Sequence, residues 1–284
     1  MEDKQIKKVV REGYGKIAKQ GSCGCSPVSS CCGIPDQAQD ISKQIGYTEE
    51  ELEAVPEGAN LGLGCGNPVA VASLKEGEVV LDLGSGAGFD CFLASGRVGE
   101  SGRVIGVDMT PEMIEKAREN AEKGNYRNVE FRLGEIENLP TADNSIDVII
   151  SNCVVNLSTD KERVFREASR VLKPGGRLMI SDLVLLKELP DVIKNSAAAY
   201  VGCLSGALMK DKYLEAIKVA GFGEVSVVEE TAFPIEWITD DPAAQAVIKD
   251  TIEDLKISPE QLKDIDGSVV SIKVRAVKPE FLEK

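Results

Sequence analysis

The pattern of apolar and polar positions alternates between strand-like and helix-like periods in the central part of the chain. Short apolar runs predict β-strands at 79–83, 103–107, 128–132, 146–151 and 177–182. Amphipathic stretches between them predict helices at 88–95, 111–123 and 160–171. Thr110 and Pro111 mark the start of the second of these helices, because threonine caps helices and proline suits the first helical position. The alternation predicts a parallel sheet covered by helices on both faces, which is a doubly wound α/β fold.

The segments before this alternation have a different pattern. Residues 4–20 predict an amphipathic helix, and residues 21–36 predict a loop rich in Gly, Ser, Pro and Cys. Residues 48–54 predict a short helix that begins at a threonine, and Asn67-Pro68 fits the start of another. The N-terminal part therefore predicts a helical and Cys-rich cap.

The segments after the alternation are less regular. Residues 190–220 are mostly helical in pattern, residues 223–229 and 268–277 predict strands, and the acidic segment 240–265 predicts a helix. We therefore expect an N-terminal cap at 1–74, a sheet domain at 75–230 and a C-terminal appendage at 231–284.

Composition and charge exclude several classes of protein. Of 284 residues, 43% are hydrophobic and 28% are charged, which is typical of a soluble globular chain. Lys and Arg number 33 and Asp and Glu 47, so the net charge of −14 disfavours binding to nucleic acid. No apolar run approaches the roughly 20 residues of a membrane helix, and the polar N-terminus disfavours a signal peptide. We expect a cytoplasmic protein without a nucleic-acid or membrane partner.

Histidine is absent, whereas cysteine occurs eight times. The absence of histidine excludes histidine bases and histidine-ligated metal sites. In a reducing compartment, cysteines are more often metal-binding or catalytic than paired in structural disulfides. Thiolates without imidazoles favour a soft, thiophilic ligand.

A glycine-rich loop follows the first predicted strand and opens a helix. Residues 82–88 read Asp-Leu-Gly-Ser-Gly-Ala-Gly, and such a loop lets the backbone approach a ligand closely. Phe89 stands where a dinucleotide-binding fingerprint requires a small residue. Asp108, at the end of the second strand, could accept hydrogen bonds from two ribose hydroxyls, or it could cap a plain turn. The loop and the acid together favour a nucleoside ligand.

Two further motifs narrow the class. Residues 134–137 (Gly-Glu-Ile-Glu) follow the third strand, and residues 172–176 (Leu-Lys-Pro-Gly-Gly) precede the fifth. Together with the glycine loop they resemble the class I S-adenosylmethionine-dependent methyltransferases over about residues 70–230. The resemblance implies a seven-stranded Rossmann-like sheet with a reversed last hairpin and S-adenosylmethionine as methyl donor. The residues expected to line the donor are Asp82, Gly84, Ser85, Gly86, Asp108, Met109, Ile136, Glu137 and Asn152; for Asn152, orientation of the Cys153 loop is an alternative.

Three cysteines stand in distinctive contexts: Cys65 in Leu-Gly-Cys-Gly-Asn-Pro, Cys153 in Ser-Asn-Cys-Val-Val-Asn-Leu and Cys203 in Gly-Cys-Leu-Ser-Gly-Ala-Leu. Cys153 follows the fourth strand, whose end faces the same crevice as the glycine loop in a doubly wound sheet. For an isolated cysteine a buried apolar role is common, and we expect that role for Cys91.

These contexts, with Tyr14-Gly15 and the Cys-rich loop, resemble the arsenite methyltransferases over most of residues 10–230. The resemblance implies that Cys65, Cys153 and Cys203 hold trivalent arsenic as a tris-thiolate. It also implies that an N-terminal cysteine takes part in loading or disulfide exchange. That cysteine is Cys31 or Cys32, of which we assign Cys32 to the catalytic set.

The implied chemistry agrees with the composition. The lone pair of arsenic attacks the methyl group in line, so no general base is needed, and placement of the reactants alone contributes roughly 7–11 kcal/mol. The expected partners are arsenite or thiol–arsenic conjugates, with a small thiol or thioredoxin as external reductant. The loop also holds Cys23 and Cys25, more cysteines than this chemistry uses.

Two alternatives stay open from the sequence. The first is a methyltransferase for a small organic acceptor, which shares the sheet motifs and would use an acidic base. The second is a protein that stores or senses a soft metal through the four cysteines of residues 21–36, although their spacing fits a zinc site poorly.

Overall fold

The computed structural model describes residues 3–20, 34–194, 196–233 and 267–280. The helices of these residues are α1 (Asp3–Gln20), α2 (Ile34–Gln44), α3 (Glu49–Glu53), α4 (Pro68–Val71), α5 (Phe89–Val98), α6 (Pro111–Lys123), α7 (Lys161–Val171), α8 (Asp191–Lys194), α9 (Ala197–Val201) and α10 (Lys210–Val219). The strands are β1 (Val79–Leu83), β2 (Arg103–Asp108), β3 (Val129–Leu133), β4 (Ile146–Asn152), β5 (Leu172–Leu185), β6 (Gly223–Ala232) and β7 (Val269–Val277). A single 3₁₀ turn, Val155–Leu157, follows β4.

The strands form one seven-stranded sheet in the order β3-β2-β1-β4-β5-β7-β6. Strands β1 to β5 run parallel, and β7 runs antiparallel to both β5 and β6. The central strands are buried on both faces because helices cover the sheet from both sides, which explains their nearly continuous apolar sequences. The predicted doubly wound, Rossmann-like sheet with a reversed last hairpin is confirmed.

Strand β7 changes the expected division of the chain. It lies between β5 and β6, and Val274 pairs with Ile180 on one side and with Val227 on the other. The side chains of Ile272 and Val274 are fully buried. The expected boundary at residue 230 is therefore not a boundary of the sheet, because part of the segment 231–284 supplies an internal strand.

Most predicted elements agree with the structure, and their ends follow local capping. Thr48 forms a capping box with Glu51 at the start of α3, and the side chain of Asn67 caps α4. Pro111 stands in the first turn of α6.

Further expectations differ from the structure or lie outside it. Strand β5 begins at Leu172, so the Lys-Pro-Gly-Gly motif expected to precede it lies within the strand. Helix α2 begins within the predicted loop 21–36, at Ile34. The predicted helical region 190–220 is interrupted between α9 and α10 at residues 202–209. The predicted helix 240–265 lies outside the described residues.

Helix α1 packs over the carboxyl ends of the parallel strands. Val10 and Ile17 of α1 are buried in one apolar cluster with Met113, Val201 and Cys203. The N-terminal helix thereby covers the edge of the sheet at which the glycine loop lies. In the described part of the chain, no helix has the length and apolar character that a membrane span requires.

Candidate active site

A cavity that is partly open to solvent lies between α1 and the carboxyl ends of the strands. Its wall contains every residue predicted to line a donor, namely Asp82, Gly84, Ser85, Gly86, Asp108, Met109, Ile136, Glu137 and Asn152. Cys65, Cys153 and Cys203 also lie on this wall. The structure thus brings the glycine loop and these three cysteines to one place, whereas Cys31 and Cys32 lie outside the described residues.

The glycine loop turns sharply against Val154, the residue that follows Cys153. Gly84 has a left-handed φ of +69°, and a Cβ atom there would lie 2.3 Å from Cγ2 of Val154. Glycine is therefore required at this position by both backbone conformation and space. The backbone N–H of Gly86 donates to Oδ2 of Asp108 at 3.0 Å, which joins the loop to the end of β2.

Asp108 is held in place by backbone donors on both of its oxygens. Besides Gly86, the N–H of Thr110 donates to Oδ1 at 2.8 Å. Burial raises the pKa of Asp108, and these backbone hydrogen bonds oppose that rise. The carboxylate keeps further lone pairs for hydroxyl groups of a ligand in the cavity.

Two more acidic side chains, Asp82 and Asp90, line the cavity beside the glycine loop. Burial and the neighbouring charge of Asp90 raise the pKa of Asp82 well above its usual range. Burial raises the pKa of Asp90 to about 6. The thiol of Cys91 donates to Oδ2 of Asp82 at 3.2 Å, and Cys91 is fully buried, as expected for it. Neighbouring buried carboxyl groups favour a ligand that carries positive charge.

The opposite end of the cavity is formed by the segment after β3. Ile136 and Glu137 are buried there, and Ser158 donates to Oε1 of Glu137 at 2.7 Å. Lys7 of α1 forms ion pairs with Glu137 at 3.1 Å and with Glu135 at 2.8 Å. Helix α1 therefore borders this end of the cavity through a charged contact.

The three cysteines form one cluster. The sulfurs of Cys65 and Cys153 and an oxygen of Asp182 all lie within 4.8 Å of one another. Thiolate sulfur binds a soft ion at about 2.3 Å, so two sulfurs on one ion lie at most about 4.6 Å apart. Hydrogen bonds with the thiols of Cys203 and Cys65, and then burial, raise the pKa of Cys153 well above its usual range. The sulfurs of Cys65 and Cys153 are thus close to the spacing at which they share one atom, and Cys203 joins them through its hydrogen bond with Cys153.

Cys153 and Cys203 both have left-handed backbones, with φ of +58° and +61°. Such conformations are costly for residues other than glycine and are concentrated at functional sites. Two backbone hydrogen bonds hold them: Cys153 N–H donates to Ser181 O at 2.8 Å, and Cys203 N–H donates to Tyr200 O at 3.0 Å. The thiol of Cys203 then reaches the backbone carbonyl of Cys153.

The loop that carries Cys65 is attached to two strands of the sheet. The side-chain oxygen of Asn152 accepts from the N–H of Cys65 at 3.0 Å, and the hydroxyl of Ser271 donates to the carbonyl of Cys65 at 2.7 Å. Gly64 has a φ of +116°, and a Cβ there would lie 2.7 Å from Nδ2 of Asn152. Asn152 lines the cavity, but its amide is engaged with the Cys65 loop and not with the loop of Cys153.

Asp182 is a buried acid that the sequence did not single out. It accepts hydrogen bonds from Asn156 at 2.9 Å and from Tyr213 at 3.0 Å. Burial raises its pKa to about 7. Burial lowers the pKa of Lys161, whose amine donates to the carbonyl of Ser158 at 2.8 Å. These polar groups lie beside the thiols, since an oxygen of Asp182 is within 4.8 Å of the sulfurs of Cys65 and Cys153.

Sequence reasoning also missed Asp90 and Tyr47. Asp90 could have been noticed, since it is the acidic residue of the first turn of the otherwise mostly apolar helix α5. No sequence pattern indicated Tyr47, because it precedes a short surface helix and comes close to the site only in the folded chain. Its hydroxyl donates to Asp90 at 2.6 Å.

The chain matches a family model described as a methyltransferase domain over residues 74–221. The matched region contains the glycine loop, β1 to β5, Cys153 and Cys203. The fold and the cavity are therefore those of a methyltransferase domain.

Known proteins extend this similarity beyond the domain. The arsenite methyltransferase of Halobacterium salinarum is 47% identical over 259 residues, which are 88% of this chain and 66% of that protein. The human arsenite methyltransferase is 38% identical over 218 residues, 73% of this chain and 56% of that protein. The crystal structure of an arsenic(III) S-adenosylmethionine methyltransferase from Chlamydomonas reinhardtii superposes with a TM-score of 0.61 and 31% identity, over 87% of this chain and 75% of that one. The chain belongs to the arsenite methyltransferase family.

The chain is matched over only part of its curated relatives. It spans just under two thirds of the protein from Halobacterium salinarum and just over half of the human protein.

Proposed function

We propose that the protein methylates trivalent arsenic held by Cys65, Cys153 and Cys203, with S-adenosylmethionine as the methyl donor. The observation that carries this proposal is the cluster of three thiols on the wall of the same cavity as the glycine loop. A soft acceptor prefers thiolates, and the described site offers thiols in place of the nitrogen ligands of harder ions.

The cavity fits the proposed donor at each of its ends. The hydroxyl of Ser85 is buried without a hydrogen-bond partner among the described residues, so a polar ligand would satisfy it. Asp108 would hold the ribose hydroxyls, Ile136 and Glu137 would border the adenine, and Asp82 would attract the ammonium group. When bound, S-adenosylmethionine would supply a methyl group from its positively charged sulfur to the arsenic lone pair: an As–C bond forms, the S–CH3 bond breaks, and its electron pair stays on the sulfur of S-adenosylhomocysteine.

The chain's own residues load and orient the arsenic substrate. Arsenite exchanges its three hydroxyls for the thiols of Cys65, Cys153 and Cys203: three As–S bonds form, three As–O bonds break, and each thiol proton leaves in water. Ser181 accepts from Cys153 and Ser271 donates to Cys65, so the backbones of these ligands are fixed before arsenic binds. Fixed ligands lower the cost of ordering the site, and closeness of the reactants lowers the barrier.

Further parts of the proposal concern the partners of the reaction. We assign Cys31 or Cys32 to loading or disulfide exchange, with Cys32 in the catalytic set, and a small thiol or thioredoxin to reduction of oxidised cysteines. The substrate is arsenite or its thiol conjugates. We assign the protein to a reducing compartment such as the cytoplasm, because the proposed chemistry requires free thiols.

The test is methyl transfer from labelled S-adenosylmethionine to arsenite in excess thiol. We expect methylated arsenic from the native protein and a loss of at least about tenfold in Cys65→Ser, Cys153→Ser and Cys203→Ser, because each removes one of three ligands. Cys23→Ser is the matched control and retains activity.

The same samples separate the alternatives. Binding of S-adenosylhomocysteine without any arsenic product would favour an organic acceptor. Copurified zinc that is lost in Cys23→Ser, with no donor binding, would favour a metal-storage protein. Full activity in Cys153→Ser or Cys203→Ser would overturn the tris-thiolate proposal.

A further inference from the structure

Three side chains form a hydrogen-bond network between the glycine loop and the Cys65 loop. The hydroxyl of Tyr47 donates to Oδ1 of Asp90 at 2.6 Å. The amide nitrogen of Asn152 lies 2.9 Å from the hydroxyl of Tyr47 and 3.3 Å from Oδ2 of Asp90. Tyr47 and Asp90 are both buried. We refer to these residues as the Asp90–Tyr47–Asn152 network.

One end of this network holds the Cys65 loop at two points. Oδ1 of Asn152 accepts from the N–H of Cys65 at 3.0 Å, and its Nδ2 donates to the carbonyl of Gly66 at 2.7 Å. The side chain of Asn152 therefore fixes the peptide group before Cys65 and the peptide group after Gly66. A rotation of this amide would move the thiol.

The amide of Asn152 has too few hydrogens for its acceptors. Its nitrogen carries two hydrogens, but Gly66, Tyr47 and Asp90 all offer acceptors within 3.3 Å. The contact with Oδ2 of Asp90 is the longest of the three. Oδ2 is thus the acceptor that is least satisfied, and Asp90 lines the cavity.

The other end of the network is Asp90, which lines the cavity together with Asp82, the residue proposed to attract the donor's ammonium group. Asp82 and Asp90 both line this part of the cavity and are buried. Burial raises the pKa of Asp90 to about 6, so its carboxyl group is mostly ionised at neutral pH, and a cation beside it would hold it in the ionised form and in one orientation. An ionised Asp90 is the stronger acceptor for the hydroxyl of Tyr47, because charge-assisted hydrogen bonds are roughly twice as strong as neutral ones.

We infer that Asp90 is a positioning residue that couples occupation of the donor site to the position of Cys65, through Tyr47 and Asn152. The inference rests on the proposed function and deepens it. An ammonium group at Asp90 keeps the carboxylate ionised and in one orientation, so the bond to Tyr47 is fixed; Tyr47 in turn holds the amide of Asn152 and therefore the backbone of Cys65. Because coupling between two sites is reciprocal, donor and arsenite each strengthen the binding of the other by the same factor.

The test compares arsenite affinity with and without two unreactive ligands of the donor site. S-adenosylhomocysteine carries the ammonium group, whereas 5′-methylthioadenosine shares the nucleoside and lacks it. In the native protein we expect saturating S-adenosylhomocysteine to tighten arsenite binding by about fivefold or more, and methylthioadenosine to change it less than about twofold. Calorimetry measures both affinities, and the comparison requires no substitution.

Tyr47→Phe then tests the route. It removes one hydroxyl from a residue that does not line the cavity, and its ring can keep the edge contact with Phe89 at 4.7 Å. We expect S-adenosylhomocysteine and arsenite still to bind separately, with the coupling factor reduced to about one. Tyr126→Phe is the matched control, because the hydroxyl of Tyr126 donates to the carbonyl of Ala54, away from this network. The native coupling is expected to persist in that variant.

The outcomes separate this inference from the proposed function. If the protein shows no arsenite binding that requires the three cysteines, the proposed function itself is overturned. The inference alone is overturned if arsenite binding requires the cysteines but its affinity does not change with S-adenosylhomocysteine. It is also overturned if methylthioadenosine changes that affinity by the same factor. Undiminished coupling in Tyr47→Phe would also overturn it, as would equal loss in Tyr126→Phe.

Discussion

The thiol of Cys203 donates a hydrogen bond to the backbone carbonyl of Cys153 at 2.8 Å, although 50 residues separate the two along the chain. This contact joins the turn after β4 to the segment between α9 and α10. Both residues have left-handed backbones, so the contact depends on two loops whose conformations are unfavourable in isolation. The position of Cys203 is therefore sensitive to how closely these loops pack.

Gly206 allows this close packing, and Gly206→Ala should disrupt it. A Cβ at Gly206 would lie 2.0 Å from the carbonyl oxygen of Asn156, a backbone atom that cannot rotate away. We expect arsenite affinity to fall by at least about tenfold and stability by about 1–3 kcal/mol, while binding of S-adenosylhomocysteine persists. Calorimetry and urea unfolding measure the two effects.

The matched control is Gly96→Ala in α5, where an added Cβ meets no atom within 4 Å. Alanine is the better helix former, so this variant should gain about 0.5–1 kcal/mol of stability. Native arsenite affinity in Gly206→Ala would contradict the role given to this packing.

Asp108 connects the glycine loop to the donor site, and Asp108→Asn tests that connection. The amide of asparagine has only one acceptor oxygen. Its NH2 group would therefore face the donating N–H of either Gly86 or Thr110. Hydrogen bonds to a charged group contribute about 1.5–3 kcal/mol, so S-adenosylhomocysteine should bind roughly 10- to 100-fold more weakly. Arsenite affinity measured without donor should stay within about twofold, and a parallel loss of both would indicate a general disruption of the cavity.

The sequence was sufficient for the sheet because its strands are short, apolar and separated by clear helix starts such as Thr110-Pro111. It also located Cys153 correctly relative to the glycine loop, since the ends of β1 and β4 share one edge of a doubly wound sheet. Both deductions depend on local patterns and a general rule of connection.

Other parts of the site depend on contacts that no local pattern encodes. Tyr47 and Asn152 are far apart in sequence and meet only after the N-terminal segment folds over β4. Asp182 lies within an apolar strand, where its partners Asn156 and Tyr213 come from elements on either side of β5 in the sequence. The left-handed backbones of Cys153 and Cys203 also have no sequence signal, because cysteine has no preference for that conformation.

The pH dependence of stability should report Asp182. Its folded-state pKa of about 7 lies above the usual value of 3.8, so the folded state binds the extra proton between these values. Stability contributed by this proton is fully present at low pH and is lost as pH rises through about 7. Across this window the free energy of unfolding should fall by up to roughly 1.4 kcal/mol per pH unit because of this group.

Asp182→Asn removes this contribution with little change in shape. Its oxygen can still accept from Asn156 and Leu183, and its amide can donate to the hydroxyl of Tyr213. Urea unfolding at pH 5, 6, 7 and 8 should give a flatter dependence in the variant than in the native protein. Parallel curves for the two proteins would show that Asp182 titrates at the same pH in the folded and unfolded chains.

The reactivity of the thiols provides a last prediction. Hydrogen bonds with Cys203 and Cys65, and burial, raise the pKa of Cys153, and the thiolate is the reactive form. We therefore expect iodoacetamide to alkylate Cys153 at least about tenfold more slowly than a free thiol at pH 8, since one pKa unit changes the thiolate fraction by about that factor. Peptide mass spectrometry over time measures the rate at each cysteine.

Arsenite should then protect Cys65, Cys153 and Cys203 together, because one bound atom occupies all three sulfurs. Cys91 is the internal control: it is fully buried, and burial raises the pKa of its thiol well above the usual range, so its slow alkylation should not change with arsenite. Urea should make all four thiols react at similar rates once the fold is lost. Protection of only one or two of the three cysteines would mean that arsenic does not bind them as a set, and rapid alkylation of Cys153 in the folded protein would contradict the hydrogen-bonded thiol cluster.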